Sequence, residues 1–303
     1  MKKTFSFLAV LCMAVTANAT ILRVNNNTGS SAPYATVEEA LEAAAEGDTI
    51  MVDASSQTYG SVTIDKRVVL LGPGYYLATN GIIAEGAESA LFTKLDIAAE
   101  GTVVKGIETK FANSTNMTIA APKVVVNRCL IGGYFQLRNA SNSIIHQNRI
   151  IGGLEAYGSS YEESYIQVTN NFVGKRISCL SNSYIAYNTI CTNFYGCKNC
   201  TINNNWGSGD FFKDSSSAGG NSYNNNYVSD EYKACNNHAY SDGYLAAIEV
   251  DETLRSTYGA FAGDDPYVIS GVPAGPVVQE LVVPTTIEKG SKLQVTIKVG
   301  IQQ

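Results

Sequence analysis

The chain has 303 residues, of which only 16% are charged, and its formal net charge is −6. Nucleic-acid binding depends on Lys and Arg side chains that neutralise phosphates, so a chain without a basic cluster argues against a nucleic-acid partner. Abundant Asn, Ser, Gly and Tyr suit the polar uncharged faces of an exported β-structure, and such faces often contact carbohydrate.

The first nineteen residues predict a secretory signal peptide. Lys2 and Lys3 precede the apolar run 5–15, and Ala17–Ala19 supplies a small-residue cleavage site. Removal of this segment moves the formal charge from −6 to −8, because both lysines leave with it. We expect a protein that begins at Thr20 and is periplasmic, cell-surface or extracellular. No other apolar run is long enough to span a bilayer.

One helix is predicted near the start of the exported chain, from Thr36 to Gly47. Thr36 and Glu39 have the spacing of a capping box, and Gly47 stands where a helix takes a left-handed C-terminal residue. A short amphipathic helix at this place suits a cap over the open end of a solenoid. Strand-like segments follow it at Thr49–Val52, Ser61–Ile64 and Val68–Leu71.

This opening resembles the N-terminal signature of secreted right-handed parallel β-helix proteins of bacteria, the pectate-lyase-like superfamily. The stretches that carry the resemblance are 36–50, 59–64 and 68–72. The resemblance implies an all-β, right-handed parallel β-helix solenoid of about nine rungs. It implies little about activity, because this superfamily includes lyases, hydrolases, epimerases, adhesins and proteins of no known activity.

An asparagine returns at intervals of 16 to 22 residues through the middle of the chain, in the range typical of stacked solenoid turns. Asn tolerates the left-handed conformation of a sharp corner, and stacked amides satisfy one another inside. Only four leucines lie between 121 and 240, which argues against a leucine-rich repeat. The predicted structural ladder is Asn127, Asn148, Asn170, Asn188, Asn204 and Asn225.

Six cysteines remain after the signal peptide. Cys179 and Cys197 each follow a ladder asparagine by nine residues, so they are expected to stack on neighbouring rungs. Two interpretations stay open, a disulfide between them or a column of buried thiols. Cys197-x-x-Cys200 has no second pair or histidine at ligand spacing, so no zinc site is predicted.

The C-terminal region departs from the repeat. Turn residues fill Gly263–Pro276, and two strands are predicted at Val277–Val283 and Lys292–Val299. The predicted layout is a signal peptide at 1–19, a β-helix with its N-terminal cap at 20–262 and a β-strand tail at 263–303. We expect the strand pair to cap the last rung, with the start of a β-sandwich as the alternative.

Catalytic patterns are weak. Carboxylates are few in the repeats and share no offset on neighbouring rungs, which argues against the calcium site of an acidic-polysaccharide lyase. No metal or cofactor is therefore predicted, and calcium enters only under the lyase alternative. His146 and His238 lack flanking glycines, and Asp264-Asp265 fits a turn, so a hydrolase pattern is not supported.

The best candidate for a binding site is the longest rung, between Gly153 and Ile166, together with a second segment that protrudes at 209–220. Tyrosine rings can stack on sugars while carboxylates accept from hydroxyls, and two facing carboxyls could act as a glycosidase pair. A solvated loop is the favoured interpretation of this rung, and a binding site is the alternative. The binding candidates are Glu155, Tyr157, Tyr161, Glu162, Glu163, Tyr165, Asp210 and Asp214.

Tyrosine recurs seven residues after a ladder asparagine at Tyr134, Tyr195 and Tyr232, with Phe211 at the same offset. This stripe is expected to fill the core, and an aromatic binding platform is the alternative. Taken together, the sequence favours an exported, noncatalytic β-helix protein that binds polysaccharide or another extracellular surface component. The alternatives are a carbohydrate-active enzyme, either a polysaccharide lyase or a glycosidase, and an adhesin or structural spacer.

Overall fold

The computed structural model describes residues 19–79, 89–156, 163–192, 194–208, 219–229, 252–273, 275–282, 292 and 295–302. The chain coils into a right-handed parallel β-solenoid with three sheets along its length, here called sheets I, II and III in the order the chain visits them. The prediction of an all-β parallel β-helix is confirmed.

The strands are numbered in chain order. Sheet I has ten: β1 (Ile21–Val24), β2 (Thr49–Val52), β4 (Val69–Leu71), β7 (Val103–Lys105), β10 (Val125–Asn127), β13 (Ile144–His146), β17 (Gln167–Thr169), β21 (Tyr184–Ala186), β24 (Thr201–Asn203) and β26 (Ser222–Asn224). Sheet II has eight: β5 (Leu91–Phe92), β8 (Glu108–Thr109), β11 (Leu130–Ile131), β14 (Arg149–Ile150), β18 (Phe172–Val173), β22 (Thr189–Ile190), β25 (Trp206–Ser208) and β27 (Tyr227–Ser229). Sheet III has seven: β3 (Ser61–Ile64), β6 (Lys94–Ile97), β9 (Thr115–Ile119), β12 (Tyr134–Leu137), β15 (Leu154–Ala156), β19 (Ile177–Ser178) and β23 (Phe194–Tyr195).

Inward-facing side chains stack in columns, because each strand pairs in register with the strand one turn before it. The middle residue of each sheet I strand points inward and is aliphatic through most of the solenoid, which makes a continuous dry core. One such column is Leu22, Ile50, Leu70, Val104, Val126, Ile145, Val168, Ile185 and Ile202.

The N-terminal helix α1 (Val37–Ala43) begins with the predicted capping box. The backbone N–H of Glu39 donates to the Thr36 side chain, and the Glu39 carboxylate accepts from the Thr36 backbone N–H. The helix ends four residues before Gly47, and the Lys66 ammonium donates to the free carbonyls of Leu41 and Ala44 at 2.6 and 2.5 Å. Its contacts are with β1, β2 and β3, so it lies at the first rungs of the solenoid.

The corner from sheet I to sheet II carries the asparagine ladder, but in two adjacent columns. Within the described chain, the residue just after each sheet I strand from β7 onward is left-handed, and the next residue points into the core. The left-handed column is Gly106, Arg128, Gln147, Asn170, Tyr187, Asn204 and Asn225. The inward column is Ile107, Cys129, Asn148, Asn171, Asn188, Asn205 and Asn226.

The six predicted ladder residues therefore do not all lie in one column. Asn148 and Asn188 lie in the inward column, whereas Asn170, Asn204 and Asn225 are left-handed corner residues one position earlier. Asn127 is the last residue of strand β10. A tandem Asn-Asn occurs at three of these corners, and sequence spacing alone does not tell which amide turns inward.

A C-terminal strap, residues 252–273, returns along the corner between sheets I and II. It contains helix α2 (Glu252–Thr257) and a 3-10 turn at Ile269–Gly271, and it runs from the last rungs toward the first. Tyr258 stacks on Tyr227 with ring centroids 5.3 Å apart, whereas Pro273 lies against Gly106. The strap spans the predicted boundary between residues 262 and 263.

Side chains of the left-handed corner column hold the strap. Asn170 donates to the carbonyls of Ala260 and Ala262 at 3.1 and 2.8 Å. Gln147 donates to the Asp265 carboxylate at 2.8 Å, and Arg128 donates to the Val272 carbonyl at 2.8 Å. These long polar corner residues give hydrogen bonds to the strap, which explains why glycine does not fill every left-handed position.

The last two strands, β28 (Gly275–Val282) and β29 (Thr296–Gln302), form an antiparallel sheet of their own. They follow Pro273, which contacts the fourth rung of sheet I rather than the last. A cap over the last rung by this strand pair is therefore not seen in the described parts of the chain.

Candidate functional site on the outer face of sheet III

The outer face of sheet III is a polar strip with aromatic residues. Side chains alternate along each strand, so every second residue leaves the core, and stacked rungs align these residues in one column. The outward column is Thr63, Asp96, Thr118, Gln136, Glu155, Ser178 and Tyr195.

Arg176 joins two members of this column. It precedes strand β19, and its Nε donates to the Glu155 carboxylate at 2.9 Å. Its guanidinium carbon lies 5.7 Å from the centre of the Tyr195 ring, within the range of a cation–π contact. Glu155 is mostly buried at 16% exposure, whereas Tyr195 is 49% exposed. The result is a charged pair at the foot of an accessible aromatic ring.

A second cation lies beside this group. The Lys175 ammonium donates to the Tyr134 hydroxyl at 2.7 Å and to the Asn113 side-chain carbonyl at 3.3 Å. It is 4.5 Å from the Tyr134 ring centre, so it lies at the hydroxyl and not over the ring face. Tyr134 and Tyr195 both face outward, so the expectation that they fill the core is wrong for these two residues. Tyr232 and Phe211 lie outside the described residues.

The structure places three of the predicted binding residues. Glu155 lies on the outer face of sheet III, and Tyr165 is a left-handed corner residue between sheets III and I with 64% of its surface exposed. Glu163 belongs to the short strand β16 (Glu163–Ser164), which pairs with β20 (Leu180–Ser181). The candidates outside the described residues are Tyr157, Tyr161, Glu162, Asp210 and Asp214.

Among the described residues, the carboxylates of the outward column are far apart. Asp96 and Glu155 share the outward column but are three rungs apart, which is about 14 Å at the spacing of paired strands. Glycosidase carboxyl pairs lie roughly 5 to 9.5 Å apart. Among the described residues, no set of three His, Cys, Asp or Glu side chains converges on a metal position.

His146 has a hydrogen-bond partner at each ring nitrogen. Nδ1 lies 2.8 Å from the Thr169 hydroxyl, and Nε2 lies 2.9 Å from the Asp265 carboxylate on the strap. The predicted turn at Asp264-Asp265 thus supplies an anchor for the strap. His146 lies on the outer face of sheet I, and its contacts are structural.

The strap covers an aromatic cluster on the outer face of sheet II. Phe172, Tyr267 and Phe261 meet edge to face, with ring centroids 5.1 to 5.8 Å apart. The hydroxyls of Tyr75 and Tyr267 hydrogen-bond to each other inside this cluster. Burial raises the pKa of Tyr75 well above its ordinary value and also raises the pKa of Tyr267. The sequence did not predict this cluster.

Of the two interpretations for Cys179 and Cys197, the structure supports one. Cys179 and Cys197 are buried free thiols, so the disulfide between them is wrong and the alternative of buried thiols holds for this pair. Cys129 occupies the ladder position before Asn148, where burial raises the pKa of its thiol to about 12.

No helix in the described parts of the chain has the length and apolar character needed to cross a membrane.

The fold and the sheet III face define a parallel β-solenoid with a polar and aromatic outer strip. Comparison of the chain with protein-family models, curated proteins and solved structures finds no match.

Proposed function

We propose that this protein is an exported, noncatalytic binding protein of the pectate-lyase-like bacterial type, and that it holds a polysaccharide along the outer face of sheet III. Export rests on the signal-like residues 1–19, and the type rests on the resemblance of the N-terminal stretches. A flat strip of stacked rungs suits an extended polymer, because equivalent positions repeat about every 4.8 Å along the solenoid.

The observation that carries the proposal is the Glu155–Arg176–Tyr195 group. The Tyr195 ring offers an apolar face to the C–H side of a sugar, and its contact with Arg176 limits its rotation. The two charged partners offer hydrogen-bond donors and acceptors to hydroxyls. Lys175 and Tyr134 extend the strip by one rung.

The spacing of the carboxylates also favours binding over hydrolysis, because paired catalysis needs two carboxyl groups roughly 5 to 9.5 Å apart. Glu155 lies against Arg176, and its nearest column partner with a carboxyl group, Asp96, is too distant for paired catalysis. Glu155 therefore acts in this proposal as a hydrogen-bond acceptor and as the residue that positions Arg176.

The test is a binding and turnover screen of residues 20–303 on soluble plant, host and microbial polysaccharides, with and without calcium. Retention without release of sugar supports the proposal. New reducing ends or unsaturated products would indicate the lyase or glycosidase alternative, and Glu155→Gln would then show whether Glu155 takes part in turnover. If the screen detects neither retention nor turnover, the adhesin or spacer alternative is favoured.

A further inference from the structure

Cys191 differs from the other cysteines that the structure describes. Its sulfur is disulfide-bonded, and its side chain is only partly buried. The other four described cysteines are buried free thiols, namely Cys129, Cys179, Cys197 and Cys200. The partner of Cys191 is therefore none of these four.

The position of Cys191 on the solenoid explains its exposure. It directly follows strand β22, at the corner from sheet II to sheet III. Thr189 points outward, because its hydroxyl accepts from the Ala260 backbone N–H of the strap at 3.1 Å, whereas Ile190 lies in the core. Side chains alternate along a strand, so the Cys191 sulfur points outward as Thr189 does. A segment that passes over the outside of the solenoid can reach this sulfur, whereas the buried thiols are shielded from it.

The sequence leaves one candidate for the partner. Removal of residues 1–19 would take Cys12 with it, so six cysteines remain in the exported chain. Four of them are the buried free thiols and one is Cys191 itself. The sixth is Cys235, which lies outside the described residues.

The described strands show that the chain is long enough for this pairing. Strand β22 pairs with β25 and β25 pairs with β27, which places Ser229 two rungs from Cys191 in the same column. Two rungs are about 10 Å at the spacing of paired strands. Cys235 follows Ser229 by six residues, and six residues can extend over about 20 Å. The bond can therefore close without any displacement of the rungs.

We propose that Cys191 and Cys235 form the disulfide of the exported chain, and that this bond ties the segment after the last rung back to the corner between sheets II and III. The loop that it closes, residues 191–235, contains the last two strands of sheet I and of sheet II. Oxidising conditions outside the cytoplasm favour such a bond. The bond does not depend on polysaccharide binding.

Formation of the bond balances as two thiol–disulfide exchanges. One thiolate of the pair attacks a sulfur of a low-molecular-weight disulfide and forms a mixed disulfide, while the other sulfur of the oxidant leaves as a thiolate. The second thiolate of the pair then attacks the protein sulfur of the mixed disulfide and releases the remaining thiolate. The protein loses two protons and two electrons, and one oxidant disulfide is reduced to two thiols.

Peptide mapping tests the proposal on the chain 20–303. The folded protein is equilibrated in a buffer rich in glutathione disulfide, alkylated in denaturant and digested with trypsin without reductant. Trypsin places Cys191 in peptide 177–198 and Cys235 in peptide 234–255. We expect these two peptides to be linked, at the sum of their reduced masses minus 2 Da, and we expect reduction to separate them.

A second digestion locates the bond within peptide 177–198, which also contains two of the free thiols. Chymotryptic cleavage after tyrosine and phenylalanine releases fragment 188–194, in which Cys191 is the only cysteine. The linkage should remain on this fragment. A bond from Cys235 to any other cysteine would overturn the proposal, as would full alkylation of both peptides or a bond between two molecules, seen as a dimer on a non-reducing gel.

Two variants complete the test. Cys191→Ser should abolish the linkage and leave Cys235 alkylated, whereas the matched control Cys200→Ser, which removes a buried free thiol, should keep the linkage in full. A linkage that survives in Cys191→Ser would overturn the assignment. Because the readout is a peptide mass, it distinguishes failure of this pairing from failure of the binding proposal.

Discussion

Replacement of Asn188 by alanine should strongly destabilise the solenoid, because this amide fills one rung of the inward column. Its carbonyl oxygen accepts from the backbone N–H of Asn171 at 3.0 Å and from the Asn171 amide at 2.9 Å. Its own amide donates to the carbonyls of Val168 and Ala186 at 2.9 and 3.0 Å and to Asn205 at 3.0 Å. Asn188 is fully buried.

The magnitude follows from what the substitution leaves behind. The Asn171 amide keeps its bonds to the carbonyls of Ile145 and Thr169, but the Asn171 backbone N–H loses its acceptor inside the core. A buried donor without a partner costs about 1–3 kcal/mol, and each further lost hydrogen bond about 1 kcal/mol. We therefore expect the free energy of unfolding to fall by about 3–4 kcal/mol.

Chemical denaturation followed by far-ultraviolet circular dichroism measures this loss. The matched control is Asn204→Gly, which removes the same side chain from the neighbouring left-handed column, where φ is +52° and glycine fits without strain. The control should lose about 1 kcal/mol or less. Equal losses in the two variants would refute the assignment of inward and corner columns.

Three further predictions concern the strap and its contacts. The contribution of Tyr75 and Tyr267 to stability should stay constant up to about pH 10 and then fall, because their raised pKa means that the folded state holds their protons while the unfolded state releases them. The stability of the double variant Tyr75→Phe, Tyr267→Phe should therefore fall less steeply above about pH 10, and an unchanged slope in alkaline unfolding curves would contradict this. Phe261→Ala should remove the contacts of the Phe261 ring with Phe172 and Tyr267. Trypsin should then cleave faster after Arg255, whose guanidinium carbon lies 4.5 Å from the Phe261 ring centre. The exposed control Glu252→Ala should be cleaved at the wild-type rate. Gly106→Ala should lower the melting temperature more than Gly60→Ala. Both glycines have positive φ, but only a Cβ at position 106 would come within 2.6 Å of Pro273. Similar losses in melting temperature would argue against the close approach of the strap.

Much of the fold follows from the sequence because a solenoid repeats its rules locally. The Thr36–Glu39 capping box and the first strands need only neighbouring residues, and the structure has them close to the predicted positions. The spacing does not show which asparagine of each corner turns inward, because an Asn-Asn pair satisfies the spacing in either of two columns. The structure separates them by φ and burial, which periodicity does not encode.

The strap was missed because its contacts are distant in sequence. Tyr75 meets Tyr267 across 192 positions, and no local pattern predicts that pairing. A signal did exist in the outward positions of sheet II, where the large apolar residues Leu130, Phe172 and Trp206 alternate with Arg149 and Thr189. Large apolar residues on every second rung of an outer face predict a covering segment, although they do not identify which one.

The candidate site was predicted in part. Glu155 was recognised from its tyrosine-rich rung, but Arg176 and Lys175 were overlooked because they reach the same face only through stacking of successive rungs. Tyr195 was assigned to the core because loop lengths before it left its orientation undetermined. A shift of one residue reverses the facing of a strand side chain, so this error follows from uncertainty in register.

The most direct test of the binding proposal compares two exposed tyrosines on different faces. Tyr195 lies on sheet III at 49% exposure, and Tyr184 lies on sheet I at 38%. Isothermal titration with a polysaccharide retained by the wild-type protein should show at least about tenfold weaker binding for Tyr195→Ala, about 1.4 kcal/mol, and unchanged binding for Tyr184→Ala. Equal affinities for Tyr195→Ala and the wild-type protein would contradict a binding site on sheet III.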